Sequence, residues 1–435
     1  MELPYNQVAQ IYQLWLQQQL EKWKKSHEEI DTMIRNTYVM NKYQLRTILY
    51  ELKDTIVGQV YQLSRLLELS SKDDDRLVSM FSANVPVTNY DTIKSYVDRM
   101  IDGAETNLLV KSDAVALYVE TSGTTSTPKR FPIHKRSLID SDLGSYDQRY
   151  IAYQQFPQLF ELQSKTLFLF SKPDLELAAD GKFITCISVL YYKSIKDHFN
   201  YLTQLRETQG SNFLASFDHP PIWYYSSPPE AYDIDEQGYL EAYYIHIVFA
   251  LKNSQHIRAI KSVYITDILL AFDILQKYWQ EIVQDIRTAQ PDTLKSIFWS
   301  KIPEKLRNKL IDYLQPPDPD LAQFVETVMD HTEMLPGWGK RLFPRLLMTR
   351  SRSGSTMEHY QTKLSAILGE DVACLGGDYS ASEGFLGLNK SCTATNRFHH
   401  AVWNCYTELL PEDQWFVDEP HCISIDSAKI GEKTS

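Results

Sequence analysis

Two short segments hold the side chains best suited to chemistry. The first, Glu120-Thr121-Ser122-Gly123-Thr124-Thr125-Ser126-Thr127-Pro128-Lys129, gathers small hydroxyl residues around one glycine and ends on a lysine. It follows the apolar run Ala114 to Val119. A loop so composed can turn backbone N–H groups and hydroxyls toward a phosphate while the ammonium neutralises charge. Taken by itself it also reads as an ordinary turn, because Ser, Thr, Gly and Pro are the usual turn formers. The second segment is Gly376-Gly377-Asp378-Tyr379-Ser380-Ala381-Ser382-Glu383-Gly384-Phe385-Leu386-Gly387-Leu388-Asn389. An aromatic ring can stack on a base, a serine hydroxyl can reach phosphate, and a glutamate can hold Mg²⁺ beside phosphate oxygens. Alone, it too could be a structural turn with an incidental glutamate.

These segments need strands and helices to position them. Asp371 to Leu375 reads as a strand, so the second segment sits at a strand's carboxyl end, where open α/β sheets bind ligands. Thr166 to Phe170, Phe183 to Tyr192 and Ser262 to Thr266 are further short apolar runs with strand character. Between them, Leu269 to Ile286 carries Leu269, Phe272, Ile274, Leu275, Tyr278, Trp279, Ile282, Val283 and Ile286 at helical spacing, which predicts a wide buried face. Strands alternating with helices predict an α/β architecture with partly parallel sheets. The leading region is helical in pattern: Val8 to Trp23, then Asn41 to Leu67, then a short helix over Ile93 to Met100. Gln315-Pro316-Pro317-Asp318-Pro319-Asp320 reads as an exposed connector.

Bulk composition narrows the classes. The 435 residues exceed a usual single core, and 43% hydrophobic with 23% charged residues is ordinary for a globular protein. A net charge of −12 argues against a nucleic-acid partner or an anionic membrane held by long-range attraction. The five cysteines (Cys186, Cys374, Cys392, Cys405 and Cys422) include no close C-x-x-C pair, which suits reduced thiols. Tyr243 to Leu251 is too short to span a bilayer. A soluble, cytoplasmic protein is expected. His246 in that run reads as a satisfied core residue. Lys72-Asp73-Asp74-Asp75-Arg76 reads as a solvated loop or helix cap. His399 and His400 near Cys392, Cys405 and His421 match no zinc spacing.

In this order and at this separation, the two segments resemble the adenylate-forming enzymes, with a Ser-Gly-Thr-Thr loop closing on Lys and a later Tyr-x-x-Ser/Thr-Glu. The closer match is to the GH3 family of acyl acid–amido synthetases. Val85-Pro86-Val87-Thr88-Asn89-Tyr90-Asp91 looks like that family's lead-in to the nucleotide loop. Val189 to Ser194 is similar to its acid-pocket strand. Tyr225-Ser226-Ser227-Pro228, Asp285-Ile286-Arg287-Thr288 and Gly354 to Tyr360 also fall in family order.

The resemblance implies the large N-terminal domain of adenylate-forming enzymes: layered α/β sheets and a smaller β-rich subdomain over residues 81–435, with a helical lead-in over residues 1–80 packed on the body. It implies that Ser122, Gly123, Thr124, Thr125 and Lys129 cradle the phosphates of ATP. Tyr379 would lie against the adenine, Ser382 would contact the α-phosphate region, and Glu383 would coordinate Mg²⁺. Lys129, Thr124 and Ser382 would carry the catalysis, and Ser355, Val189 and Tyr191 would line the acid site. The activity implied is ATP-dependent activation of a small carboxylic acid, coupled to amide formation with an amino acid.

Two departures from the family pattern stand out. Ser126-Thr127 replaces a Gly or a longer polar insert. The sequence also stops at Ile430-Gly431-Glu432-Lys433-Thr434-Ser435, where the family continues into an Arg-Tyr-Arg-x-Gly-Asp motif that holds the ribose and then a mobile C-terminal lid domain. The expectation is a body without its lid. A shortened, non-catalytic protein that binds a nucleotide, a carboxylate or a protein partner is the alternative.

Overall fold

The computed structural model describes residues 5–121, 127–197, 224–291, 294, 296–330, 336–354, 357–382, 384–391, 397–417 and 420–428. The centre is a parallel sheet in the order β3-β6-β7-β8, formed by Lys165–Phe168, Ile257–Tyr264, Met348–Arg352 and Ala373–Gly376. The first half of β6 is buried throughout, as a central parallel strand covered on both faces requires. A second sheet, in the order β2-β1-β5-β4, holds the hairpin of β1 (Val115–Glu120) and β2 (Arg130–His134) beside Phe183–Thr185 and Glu176–Leu177. The smaller β structure continues with β9 (Tyr379–Ala381), β10 (Gly384–Leu388) and β11 (His399–His400), then the two-residue pair β12 (Glu408–Leu409) and β13 (Ile423–Ser424).

Helices α9 (Tyr239–Lys252) and α10 (Ile265–Thr288) pack on the parallel sheet. From Glu241 to Leu251 every residue of α9 is buried, the mark of a helix enclosed on all sides. His246 at its centre is fully buried, and both ring nitrogens are bonded, to Ser227 Oγ (2.8 Å) and to the Phe170 carbonyl (2.7 Å). Burial lowers its pKa to about 4, so it is a neutral core residue. Helix α10 begins four residues before its apolar pattern does, because the Asp267 carboxylate accepts the Tyr264 N–H at 2.9 Å and closes a capping box. For the same reason β6 ends at Tyr264, and Ile265 and Thr266 belong to the helix rather than to the expected strand.

Two other expectations are corrected. Asn41 to Leu67 is not one helix but α2 (Thr37–Leu52), α3 (Ile56–Val60) and α4 (Leu63–Ser70). A Cβ at Gly58 would come within 2.0 Å of the Leu52 carbonyl oxygen, so this glycine lets the chain fold back where a helix would have run on. Phe183 to Tyr192 is a strand only over Phe183–Thr185, and residues 189–197 form a helix, α8. Ser188 marks the switch, its carbonyl accepting from Tyr191 N at 2.9 Å. The acidic run is a helix cap: Asp73 Oδ1 accepts the Arg76 N–H at the start of α5 (Asp74–Asn84), and Asp74 pairs with Arg46 at 2.5 Å.

Helix α1 (Tyr5–Arg35) runs along α7 (Lys135–Gln155), Tyr12 Oη donates to the Phe160 carbonyl at 2.7 Å, and Trp23 is buried against Phe160. Among the described residues no helix is long and apolar enough to cross a membrane.

Asp285 yields a test of the core electrostatics. Its Oδ2 accepts from Tyr244 Oη at 2.5 Å and from Trp299 Nε1 at 2.7 Å. Burial pushes its carboxyl up to about 6, with those two donors opposing the rise. The folded state therefore holds a proton that the unfolded chain releases near pH 4. This contribution to stability is present below pH 4, declines as pH rises to about 6 and stays lost above. We expect Asp285→Asn to gain on the parent protein by up to about 3 kcal/mol between pH 4 and pH 7, read from urea midpoints at the two pH values. Parallel pH profiles would contradict the assignment.

Candidate functional site

The β1–β2 hairpin holds the lysine of the first segment by backbone bonds. Lys129 N donates to Thr121 Oγ1 at 2.9 Å, and Thr121 N donates to the Lys129 carbonyl at 2.9 Å. Glu120 and Arg130 pair across the strands at 2.7 Å. Tyr90 braces the hairpin from α6 (Tyr90–Gly103): its hydroxyl accepts the Arg130 N–H at 3.0 Å and its ring meets Phe131 edge-on. The Lys129 ammonium lies 5.6 Å from the centre of the Tyr90 ring. Ser122, Gly123, Thr124 and Thr125 lie outside the described residues.

The second segment occupies the carboxyl end of β8. The tyrosine ring of Tyr379 is 56% exposed and stacks on Phe398, with centroids 5.7 Å apart and planes at 30°. Gly387 stands opposite Tyr379 in the β9–β10 register, and a Cβ there would come within 2.7 Å of Phe398 Cβ. Only a glycine lets the aromatic pair lie this close to β10. One face of the Tyr379 ring is thus backed by protein and the remainder is open, which suits a planar base. Ser380 Oγ accepts from Arg352 Nη2 at 2.6 Å, and the Arg352 guanidinium lies over Tyr264. Ser382 is half-buried in the turn that closes the β9–β10 hairpin. Glu383 and Ser355 lie outside the described residues, and so does the spacing between Thr124 and Glu383. Among the described residues no cluster of His, Cys, Asp and Glu could hold a metal ion.

Helix α7 joins the two segments. It starts directly after β2, and the stretch from Lys135 to Gln148 covers roughly 20 Å of helix. At the far end Gln148 Nε2 donates to Asp378 Oδ1, next to Tyr379. Gly144 packs against Phe385 and Leu388 of β10, and the adjoining cluster includes Ile30 of α1 and Trp403. Asp147 is fully buried and pairs with His27 of α1 at 2.7 Å and with Lys390 at 3.0 Å. Sequence reasoning had no signal for Gln148 or Phe398. Tyr90 lies in the segment Val85 to Asp91, but only the fold shows it under Lys129.

Of the expected acid-site residues, Val189 and Tyr191 lie on α8, not on a strand. Tyr191 meets Phe168 edge-on at 5.9 Å and Phe170 at 6.4 Å, and Tyr225 stacks on Phe168 at 6.3 Å. These rings gather at the carboxyl end of β3, and Tyr191 keeps 47% of its surface exposed. Val189, half-buried, sits on the first turn of the same helix.

Comparison with known proteins places these features in a family context. The model described as "GH3 family N-terminal domain" matches residues 26–372. The 4-substituted benzoates-glutamate ligase GH3.12 of Arabidopsis thaliana is 22% identical over 81% of this chain and 56% of its own length. The probable indole-3-acetic acid-amido synthetase GH3.11 of Oryza sativa subsp. japonica is 22% identical over 88% of this chain and 62% of its own. Among solved structures, the GH3.15 acyl acid amido synthetase superposes with a TM-score of 0.69 at 19% identity, over 93% of this chain and 63% of that one. The fold is the same α/β arrangement. The chain spans about three fifths of the length of these relatives.

Proposed function

Because the chain belongs to the GH3 family, we propose that it takes part in the ATP-dependent activation of a small carboxylic acid and the transfer of the acyl group to an amino acid. The observation that carries this reading is the α7 bridge, which ties the lysine hairpin to the Tyr379 platform beside one sheet's carboxyl ends.

In this reading the acid's carboxylate oxygen attacks the α-phosphorus of ATP, the bond to the β-phosphate breaks, and pyrophosphate leaves. The amino acid's amine then attacks the acyl carbon, gives up a proton, and AMP departs as the amide forms. Tyr379 would carry the adenine on its open face. Lys129, with the backbone N–H groups and hydroxyls of Ser122, Gly123, Thr124 and Thr125, would hold the phosphates and neutralise developing charge. Ser382 would reach the α-phosphate region, and Mg²⁺ on Glu383 would add charge neutralisation when bound. The acid would lie near Val189, Tyr191 and Ser355, against the Phe168 and Phe170 rings. Catalysis of the first half needs mainly alignment and charge neutralisation, and both are within reach of these groups.

The test is ATP–pyrophosphate exchange across a panel of carboxylic acids, run beside calorimetric titration with Mg·ATP. Exchange that depends on an added acid supports the reading. Nucleotide binding with no exchange reduces it to a nucleotide-binding role, and absence of both overturns it.

A further inference from the structure

Asp378 is largely buried, yet it meets groups from three other parts of the fold. Gln148 of α7 donates to its Oδ1, and the Asn389 N–H, at the turn after β10, donates to the same oxygen at 2.9 Å. Its Oδ2 faces Arg350 of β7 at 3.6 Å. Asn389 then returns a side-chain bond to the Gly376 carbonyl at 3.0 Å, and Gly377 N donates to the Ser351 carbonyl at 2.8 Å. The next residue is Tyr379, and the one after it is pinned by Arg352. A carboxylate in such surroundings costs free energy to bury, so its partners must hold it in one place.

We infer that Asp378 is a positioning residue, which fixes the ring of Tyr379 for a nucleotide base by clamping the start of β9 to α7, to β7 and to the turn after β10. This rests on the nucleotide reading above for its consequence, though the clamp itself is independent of any ligand. The geometry explains why an acid, rather than a small neutral residue, occupies this place. One oxygen takes two donors, from α7 and from the turn after β10, while the other answers an arginine. The charged and titratable groups facing Asp378 are Arg350 and Arg352 from β7 and Asp147 from α7.

The experiment compares the parent chain with Asp378→Ala, Asp378→Asn and Gln148→Ala. Hydrogen exchange of residues 376–389 without ligand reads the clamp. Both Asp378→Ala and Gln148→Ala should speed exchange there while leaving α9 protected, and unchanged exchange overturns the proposal whether or not nucleotide binds. Titration with Mg·ATP then reads the consequence: affinity should fall roughly 10- to 100-fold in Asp378→Ala. The KM for the acid should be unchanged, and the affinity loss in a variant combining Asp378→Ala with Gln148→Ala should be smaller than the product of the single losses. Asp378→Asn keeps both acceptor bonds on Oδ1 and should recover most of the affinity. Weakened binding in Lys129→Ala with normal binding in Asp378→Ala would refute the positioning role and leave the nucleotide reading intact. Faster exchange in a chain that binds no nucleotide would sustain the clamp and refute the nucleotide reading.

Discussion

Lys129→Ala should weaken Mg·ATP binding by roughly 10- to 150-fold while leaving the fold untouched. The magnitude is that of one charge-assisted hydrogen bond, about 1.5–3 kcal/mol. The fold should survive because the hairpin is held by the lysine's backbone, through the two bonds to Thr121, and not by its ammonium. That ammonium lies over the Tyr90 ring, an interaction worth about 0.5–1 kcal/mol at an exposed site. Lys129→Arg should recover only part of the affinity, since a planar fork does not replace a compact ammonium. Calorimetric titration beside a thermal melt decides the matter. Glu383→Ala is the companion variant, and unchanged affinity in both would remove the nucleotide from this site.

Phe272→Ala should cost about 3–5 kcal/mol of stability. The side chain is 1% exposed and meets Trp338 edge-on at 5.5 Å and Phe343 at 6.4 Å. The backbone at Gly339 closes on the same ring so tightly that a Cβ there would approach it to 3.0 Å. Deleting the ring leaves a void that its close-packed neighbours cannot fully close. Total stability of a folded domain is about 5–15 kcal/mol, so much of the margin would go. The consequence would reach the site, because α10 starts directly at the carboxyl end of β6. Urea denaturation of Phe272→Ala and Phe272→Leu measures it. A loss below about 1 kcal/mol in the alanine variant would mean that the region repacks freely.

Much of the fold was legible because the sequence repeats its physical message locally. The apolar face from Leu269 to Ile286 appears as the long helix α10, kinked at Tyr278, and the strand runs at Thr166 and Asp371 appear within a few residues of their expected places. The misreadings had more than one cause. Phe183 to Tyr192 has too few residues to separate a strand from a helix, and a turn at Ser188 converts its second half to α8. Asn41 to Leu67 carries helical spacing throughout, but Gly58 permits a close backbone approach that no periodicity can announce.

For the site, the chain's own order of residues determined which chemistry was on offer: a hydroxyl loop ending on Lys129 and a strand tip bearing Tyr379, Ser382 and Glu383. That follows from residue type and local spacing alone. Only the tertiary structure decided what holds them. Tyr90 lies under Lys129, Phe398 backs Tyr379 across a glycine, and Gln148 reaches Asp378 from a helix that begins beside the other segment. Such partners are distant along the chain, and each is an ordinary residue until packing brings it within a few ångströms. Hydrogen bonds and ring contacts act over distance in space, and separation in sequence carries almost no record of that distance.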